Sequence, residues 1–267
     1  MNLSQLKRVA KEDMRSTKPS VFIVSIIFLI LTLVLSFLIS NLSGYTQFNK
    51  NMTNLMNDTA FQKELTEAAT DPNFQPSDRL IRQIDNLVPK VKPLGAVLAL
   101  VISIMSGVLT AGYEGYCLTV SRHKPSRFSD IFSGFEHFGK VLLIIILQSI
   151  FVFLWSLLFI IPGIIALIRY SQSFKVMFDH PEYSALQCIR ESKRLMRGHK
   201  GTFFALILSF IGWYILDMFL QILIRVPVLQ IYINPYVGIT TAHFYNVISG
   251  WTPEQEEPII EQEAGNE

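Results

Sequence analysis

Six side chains in this sequence sit where their chemistry is expensive. Glu114, Gln148, Arg169, Asp217, Asn234 and His243 all fall within long apolar stretches. A charge or amide surrounded by hydrocarbon is costly enough to mark a functional or a tightly structural position. Arg169 and Asp217 have opposite signs, and helical rise puts both about 9–10 Å inside the same membrane boundary. Three roles are open to them: a buried ion pair joining two neighbouring helices, a substrate or ion site, or separate side chains that snorkel to the headgroups. The ion pair is the structural expectation. Glu114 and His243 lie toward the inner ends of their stretches, within reach of each other or of nearby bases. For them a proton-linked role competes with a hydrogen-bonded pair at headgroup depth. Gln148 suits interhelical hydrogen bonding more than ligand binding. Asn234 belongs to the most polar stretch, "LQIYINPYVGITTAHFYNVIS", which suits a helix facing protein or a wet cavity, kinked at Pro235.

Motifs for other chemistry are missing. There is no Gly-rich phosphate loop, no H-E-x-x-H and no G-x-S-x-G elbow. The five histidines are scattered without metal-ligand spacing. No catalytic set, cofactor or metal is expected, and the expected role is not enzymatic.

The elements that must position these residues are apolar helices. Only 16% of the chain is charged, against roughly 25% in a soluble domain. The apolar surplus is concentrated: residues 21–40, 94–113 and 141–168 carry no charge at all. Roughly 20 such residues cross a bilayer, so the chain is read as an integral membrane protein. The first stretch follows "KRVAKEDMRSTK", is longer than a secretory h-region and lacks a convincing cleavage site, so an uncleaved span is expected. Cys117 and Cys188 fall near cytoplasmic ends and are expected as reduced thiols.

Topology turns on "FIIPGIIALIRYSQ", 159–172. A single kinked span there gives five crossings and leaves the six bases of 175–201 outside. A reversal at Pro162-Gly163 gives six crossings. It gathers the five bases of 1–20, the four of 119–140 and the six of 175–201 in the cytoplasm. Pro ends a helix and Gly permits a turn, so the chain is expected to reverse. The fold class is therefore all-α: a polytopic bundle of six transmembrane helices with amphipathic interfacial helices and both termini cytoplasmic. The spans are about 21–40, 94–118, 140–161, 164–178, 202–224 and 228–249, in one membrane domain covering 1–250. The fourth is short, with Lys175 as a snorkelling anchor. The extracytoplasmic loop is 41–93, and 251–267 is an acidic disordered tail with six Glu.

Three short segments are expected to lie in the inner interface. "LSQLKRVAKEDM" groups Leu3, Leu6, Val9 and Ala10. "SRFSDIFSGFEHFGK" groups Phe128, Ile131, Phe132, Phe135 and Phe138. "PEYSALQCIRESKRLMRGHK", started by Pro181 and stopped by Gly198, sets Leu186, Ile189 and Met196 against Arg190, Lys193, Arg194 and Arg197, which face anionic headgroups. Outside, "SDRLIRQIDNLV" forms an amphipathic helix with Leu80, Ile81, Ile84, Leu87 and Val88 together.

"GYEGYCLTVSR", "FSDIFSGFEHFGKVLL", "LWSLLFIIPGIIA" and "CIRESKRLMRGHKGTFF" together resemble a family of bacterial six-span membrane proteins of unknown function. That family is related to the membrane domain of some glycerophosphodiester phosphodiesterases. Its Pro-Gly between spans precedes a cytoplasmic Arg-Ser helix, matched here by Arg190, Ser192, Leu195 and Gly198. The resemblance covers about 90–250 and the basic N-terminal segment. It implies six spans in a bacterial plasma membrane. It implies no activity, because the phosphodiesterase barrel and its metal site are not in this chain.

The expected role is a non-enzymatic protein that organises membrane lipid or binds a partner. Its expected partners are anionic headgroups at the inner face, with a protein partner or a second copy open and nucleic acid not implied. The alternative is a transporter or permease component with a polar path near span six. A continuous polar cavity at mid-membrane depth favours that alternative.

Overall fold

The computed structural model describes residues 2–18, 20–71, 74–87 and 93–253. The described residues are mostly helical, without strands. In chain order the helices are α1 (Leu3–Ser16), α2 (Val21–Leu42), α3 (Tyr45–Met56), α4 (Thr59–Thr70), α5 (Asp78–Asp85), α6 (Pro93–Ser121), α7 (Ser133–Glu136), α8 (Phe138–Leu158), α9 (Ile160–Tyr170), α10 (Ser173–Asp179), α11 (Ala185–Leu195), α12 (Lys200–Leu208), α13 (Ile211–Ile224) and α14 (Gln230–Ser249), with a 3₁₀ turn over Phe128–Phe132. Four helical stretches are long and apolar enough to cross a membrane: α2, α6, α8 and the 25-residue stretch Lys200–Ile224. They make this a membrane-embedded protein. The acidic tail from 254 onward and Val88 lie outside the described residues.

The chain forms two compact units, 31–106 and the remainder. In the smaller, the loop expected over 41–93 is largely helical. Asp58 caps α4 and accepts hydrogen bonds from Arg79 (2.7 Å) and Gln83 (2.8 Å) of α5. The Gln83 bond, the Ala60 N–H and the Arg79 charge hold its carboxyl below the ordinary value. What that contact contributes is therefore complete above the ordinary carboxylate range and is lost as pH falls through the lowered value. Leu80 is buried, while Ile81 and Ile84 are exposed.

In the larger unit the chain does reverse after α8, at Phe159 rather than at Pro162-Gly163. Phe159 is extended (φ −163°, ψ 156°) and separates α8 from α9. Three contacts fix the antiparallel register: Ser156 against Gly163, Phe151 against Tyr170 (5.9 Å between rings), and the Gln148 amide donating to the Tyr170 carbonyl at 3.0 Å. Pro162 sits in the first turn of α9, where no backbone N–H is needed. Gly163 is used for closeness, since a Cβ there would collide with Ser156 Oγ.

The expected fourth span is two helices, broken at Ser171–Gln172. Hydroxyls replace the lost backbone bonds: Ser171 donates to the Ile168 carbonyl (2.9 Å), Ser173 to that of Tyr170 (2.8 Å) and Ser192 to that of Arg169 (2.9 Å). The fifth is also broken, at Ser209–Phe210, where Lys7 of α1 donates to the Ser209 carbonyl (3.2 Å). Irregular backbone in a membrane persists only where such partners or a cavity receive it.

Two of the short amphipathic segments, α1 and α11, pack against protein. α1 packs on α14 and buries Leu6, Ala10, Asp13 and Met14. α11 packs on α8, α9 and α10, burying Cys188, Ile189 and Ser192. It starts at Ala185, not at Pro181, because Ser184 and Gln187 form a reciprocal cap. Gly198 follows its end with φ +87°. Residues 128–138 are a 3₁₀ turn and one helical turn, with Ile131 buried and Phe128, Phe132 and Phe138 exposed. This segment meets α6 at two glycines: a Cβ on Gly112 would strike the Ile131 carbonyl, and one on Gly134 that of Val108.

α14 is the centre. It lacks the apolar character of the four spanning candidates, yet ten of its residues are buried.

Candidate functional site

Three helices bring polar groups together inside the larger unit. α6 presents Thr110, Tyr113, Glu114 and Cys117 at helical spacing, and α14 presents Asn234, Gly238 and Thr241 likewise. Gly238 lets them approach, since a Cβ there would lie 2.5 Å from Cys117 Sγ. The start of α10, just after the break, adds Gln172 and Lys175.

Lys175 and Glu114 form a hydrogen-bonded ion pair. The lysine side chain is 2% exposed and that of Glu114 is 31% exposed. Lys175 is thus enclosed within the protein and does not snorkel. Pairing answers its desolvation, because an ammonium at such a position without a carboxylate would be very costly.

Two cavities flank the pair. One of about 270 Å³ is lined by Glu114, Lys175, Gln172, Asn234, Tyr113 and Cys117, among others. The other, about 640 Å³, is lined by Glu114, Gln148, Ser149, Ser156, Phe153 and Leu167, among others. Thr110, Glu114 and Ser171 border both. Gln172 is fully buried, and its Oε1 accepts no hydrogen bond. An amide acceptor left so is costly, and Gln172 is among the residues that line the smaller cavity.

Three of the six intramembrane residues singled out from sequence, Glu114, Gln148 and Asn234, therefore meet around one pair of cavities. The other three do not. His243 is bonded to Asp13 of α1 (2.5 Å), with His123 also 3.6 Å from that carboxylate, so it pairs with α1 and not with Glu114. Arg169 and Asp217 do not pair. Asp217 accepts instead from the amides of Gln221 and Gln230, both at 2.7 Å. Arg169 has its guanidinium 6.0 Å from the Trp155 ring centroid and its Nε without an acceptor. Equal depth on adjacent helices was met by nearer amides on Asp217's own helix and at the start of α14.

A second polar cluster, at the ends of α6, α10 and α14, was not foreseen. Arg122 binds Asp179 (2.5 Å) and Asn246 (3.0 Å), Tyr245 donates to Asp179 (2.8 Å), and Trp251 lies 4.9 Å from the Arg122 guanidinium. Its signal was legible in part: Arg122 and Asp179 each lie just beyond the end of an apolar stretch. The cluster ties α6, α10 and α14 together through these contacts.

Arg190, Lys193, Arg194 and Arg197 are all exposed on one face of α11 and the turn after it. Arg194 is bonded to Glu191, whose carboxyl that bond holds below its ordinary value. Cys117 and Cys188 are free and buried. Among the described residues, no group of three or more His, Cys, Asp and Glu could hold a metal ion.

The family model described as Protein of unknown function (DUF975) matches residues 1–169 and 159–251. The chain belongs to that family. Both matches include 159–169, the turn after α8 and most of α9, and together they cover residues 1–251. No curated protein and no solved structure matches the chain.

Proposed function

We propose that the protein is a permease-like component of a bacterial plasma membrane that binds a polar group at Glu114–Lys175. The observation that carries this reading is a buried ion pair at a helix break with cavities on both sides. Transporters place their sites at such interruptions, where irregular backbone borders a cavity. In this reading α2, α6, α8, α9–α10, α12–α13 and α14 make six crossings with both termini in the cytoplasm, supported by the basic segments on one side and by the reversal at Phe159. The fold is then related to the membrane domain of the glycerophosphodiester phosphodiesterases, and the role is not enzymatic.

Cys117 borders the smaller cavity and reports on the path. In a Cys188→Ser chain reconstituted in sealed vesicles, a small water-soluble methanethiosulfonate is expected to modify Cys117 from one side. Complete protection in the folded protein would overturn the path. In a chain without native cysteines, Ser184→Cys and Asn49→Cys should label from opposite sides of intact cells, and same-side labelling would overturn six crossings.

The exposed basic face of α11 favours a second role, holding anionic lipid at the inner surface. Each base there contributes about 1 kcal/mol. In nanodiscs of mixed composition, the full chain with Arg190→Gln, Lys193→Gln and Arg197→Gln should retain less phosphatidylglycerol. Unchanged retention would exclude this role.

A further inference from the structure

Building on the binding site proposed above, we propose that its ligand is an amphiphile with a primary ammonium and an oxyanion in its head, of the phosphatidylethanolamine class, entering sideways from the membrane. The larger cavity carries the direction of entry. Phe153 and Leu167 line it and are themselves 66% and 56% exposed, on helices α8 and α9. Its mouth therefore opens among side chains that protein does not cover and that suit acyl chains, not water. Its inner wall is polar, with Ser149, Gln148 and Glu114.

The smaller cavity carries the head chemistry. Glu114 and Lys175 supply one acceptor and one donor of full charge. A head bearing both charges can exchange partners with that pair and leave no charge unmatched, whereas a head with a single charge strands one member. The buried Gln172 Oε1, without a donor of its own, adds a requirement for N–H. A primary ammonium has N–H donors to spare. The trimethylammonium of phosphatidylcholine has none, so the site should tell the two apart although their charges are identical.

The test uses the full chain in nanodiscs containing phosphatidylethanolamine, phosphatidylcholine and phosphatidylglycerol in equal amounts, with retained lipid counted by native mass spectrometry. Phosphatidylethanolamine should be retained at least several-fold over phosphatidylcholine. Gln172→Leu should bring the two toward parity, and the charge-balanced Glu114→Gln/Lys175→Met double variant should abolish the preference. The α11 basic-face variant should lower phosphatidylglycerol alone. Equal retention of the two zwitterionic lipids by the unaltered chain overturns the proposal, as does a preference that survives both cavity variants. So does displacement by soluble phosphoethanolamine at concentrations that leave bulk lipid unaffected, which would assign the site to a free solute. Modification of Cys117 together with lipid parity refutes the ligand class and leaves the path standing. Protection of Cys117 together with a phosphatidylethanolamine preference does the reverse.

Discussion

Glu114→Gln is expected to be among the most damaging single substitutions in the membrane interior. It leaves the Lys175 ammonium, with its side chain 2% exposed, charged and without its carboxylate. Removing one side of a buried pair costs roughly 3–5 kcal/mol. Lys175→Met should cost less, because Glu114 is 31% exposed and water in the cavities can hydrate it. The double variant Glu114→Gln/Lys175→Met should recover much of the loss, since it leaves neither charge behind. Thermal unfolding in detergent and unfolding in mixed micelles both read this cycle. Additive losses in the double variant would show that the two side chains act independently.

The second large effect is expected where α6 crosses the 3₁₀ segment. Gly112→Ala puts a Cβ into the Ile131 carbonyl, and Gly134→Ala puts one into that of Val108. In both cases the obstacle is backbone, which cannot rotate away as a side-chain tip can. Each should destabilise by roughly 1–3 kcal/mol, the usual range for overpacking a close contact. The double variant should cost less than twice that, because a single separation of the two segments relieves both. Gly139→Ala is the control: nothing lies within 4 Å of a Cβ there, and Ala gains up to about 1 kcal/mol of helix propensity. Equal losses at all three positions would mean that the crossing is not a constraint.

Much of the architecture was legible in the residues. Charge-free stretches fixed α2, α6 and α8 within a few positions, and the sidedness of Lys and Arg pointed to the reversal after α8. The exact turn was not legible, because Pro162 and Gly163 have two physical uses. Either residue can break a helix, but here Pro occupies a first turn and Gly lets two helices touch. The breaks at Ser171–Gln172 and Ser209–Phe210 were hidden for another reason. Both lie in stretches apolar enough to read as continuous helix, and the hydroxyls and the Lys7 ammonium that receive their carbonyls come partly from distant residues. Helical periodicity identified the buried faces of α1 and α11 but not what buries them. Those faces meet protein, a fact that depends on the folded chain alone.

The site was half legible. Glu114, Gln148 and Asn234 were visible as polar residues in apolar stretches. Lys175 was not, because a lysine near the end of a span has a cheaper alternative in reaching for headgroups. Its enclosure follows from the break before α10, which carries it inward. Arg169 and Asp217 had matching depth and opposite charge, but depth says nothing about the angle at which each faces around its helix.

α14 has a consequence for how the protein is made. Ten of its residues are buried, while its composition is too polar for lipid alone to hold it as it would hold α2 or α8. Its place is conferred by protein contacts: α1 packs along it, and Asp13 bonds to His243. For α14, entering the membrane and acquiring tertiary structure are therefore one event. The earlier hydrophobic helices can partition first and pack later.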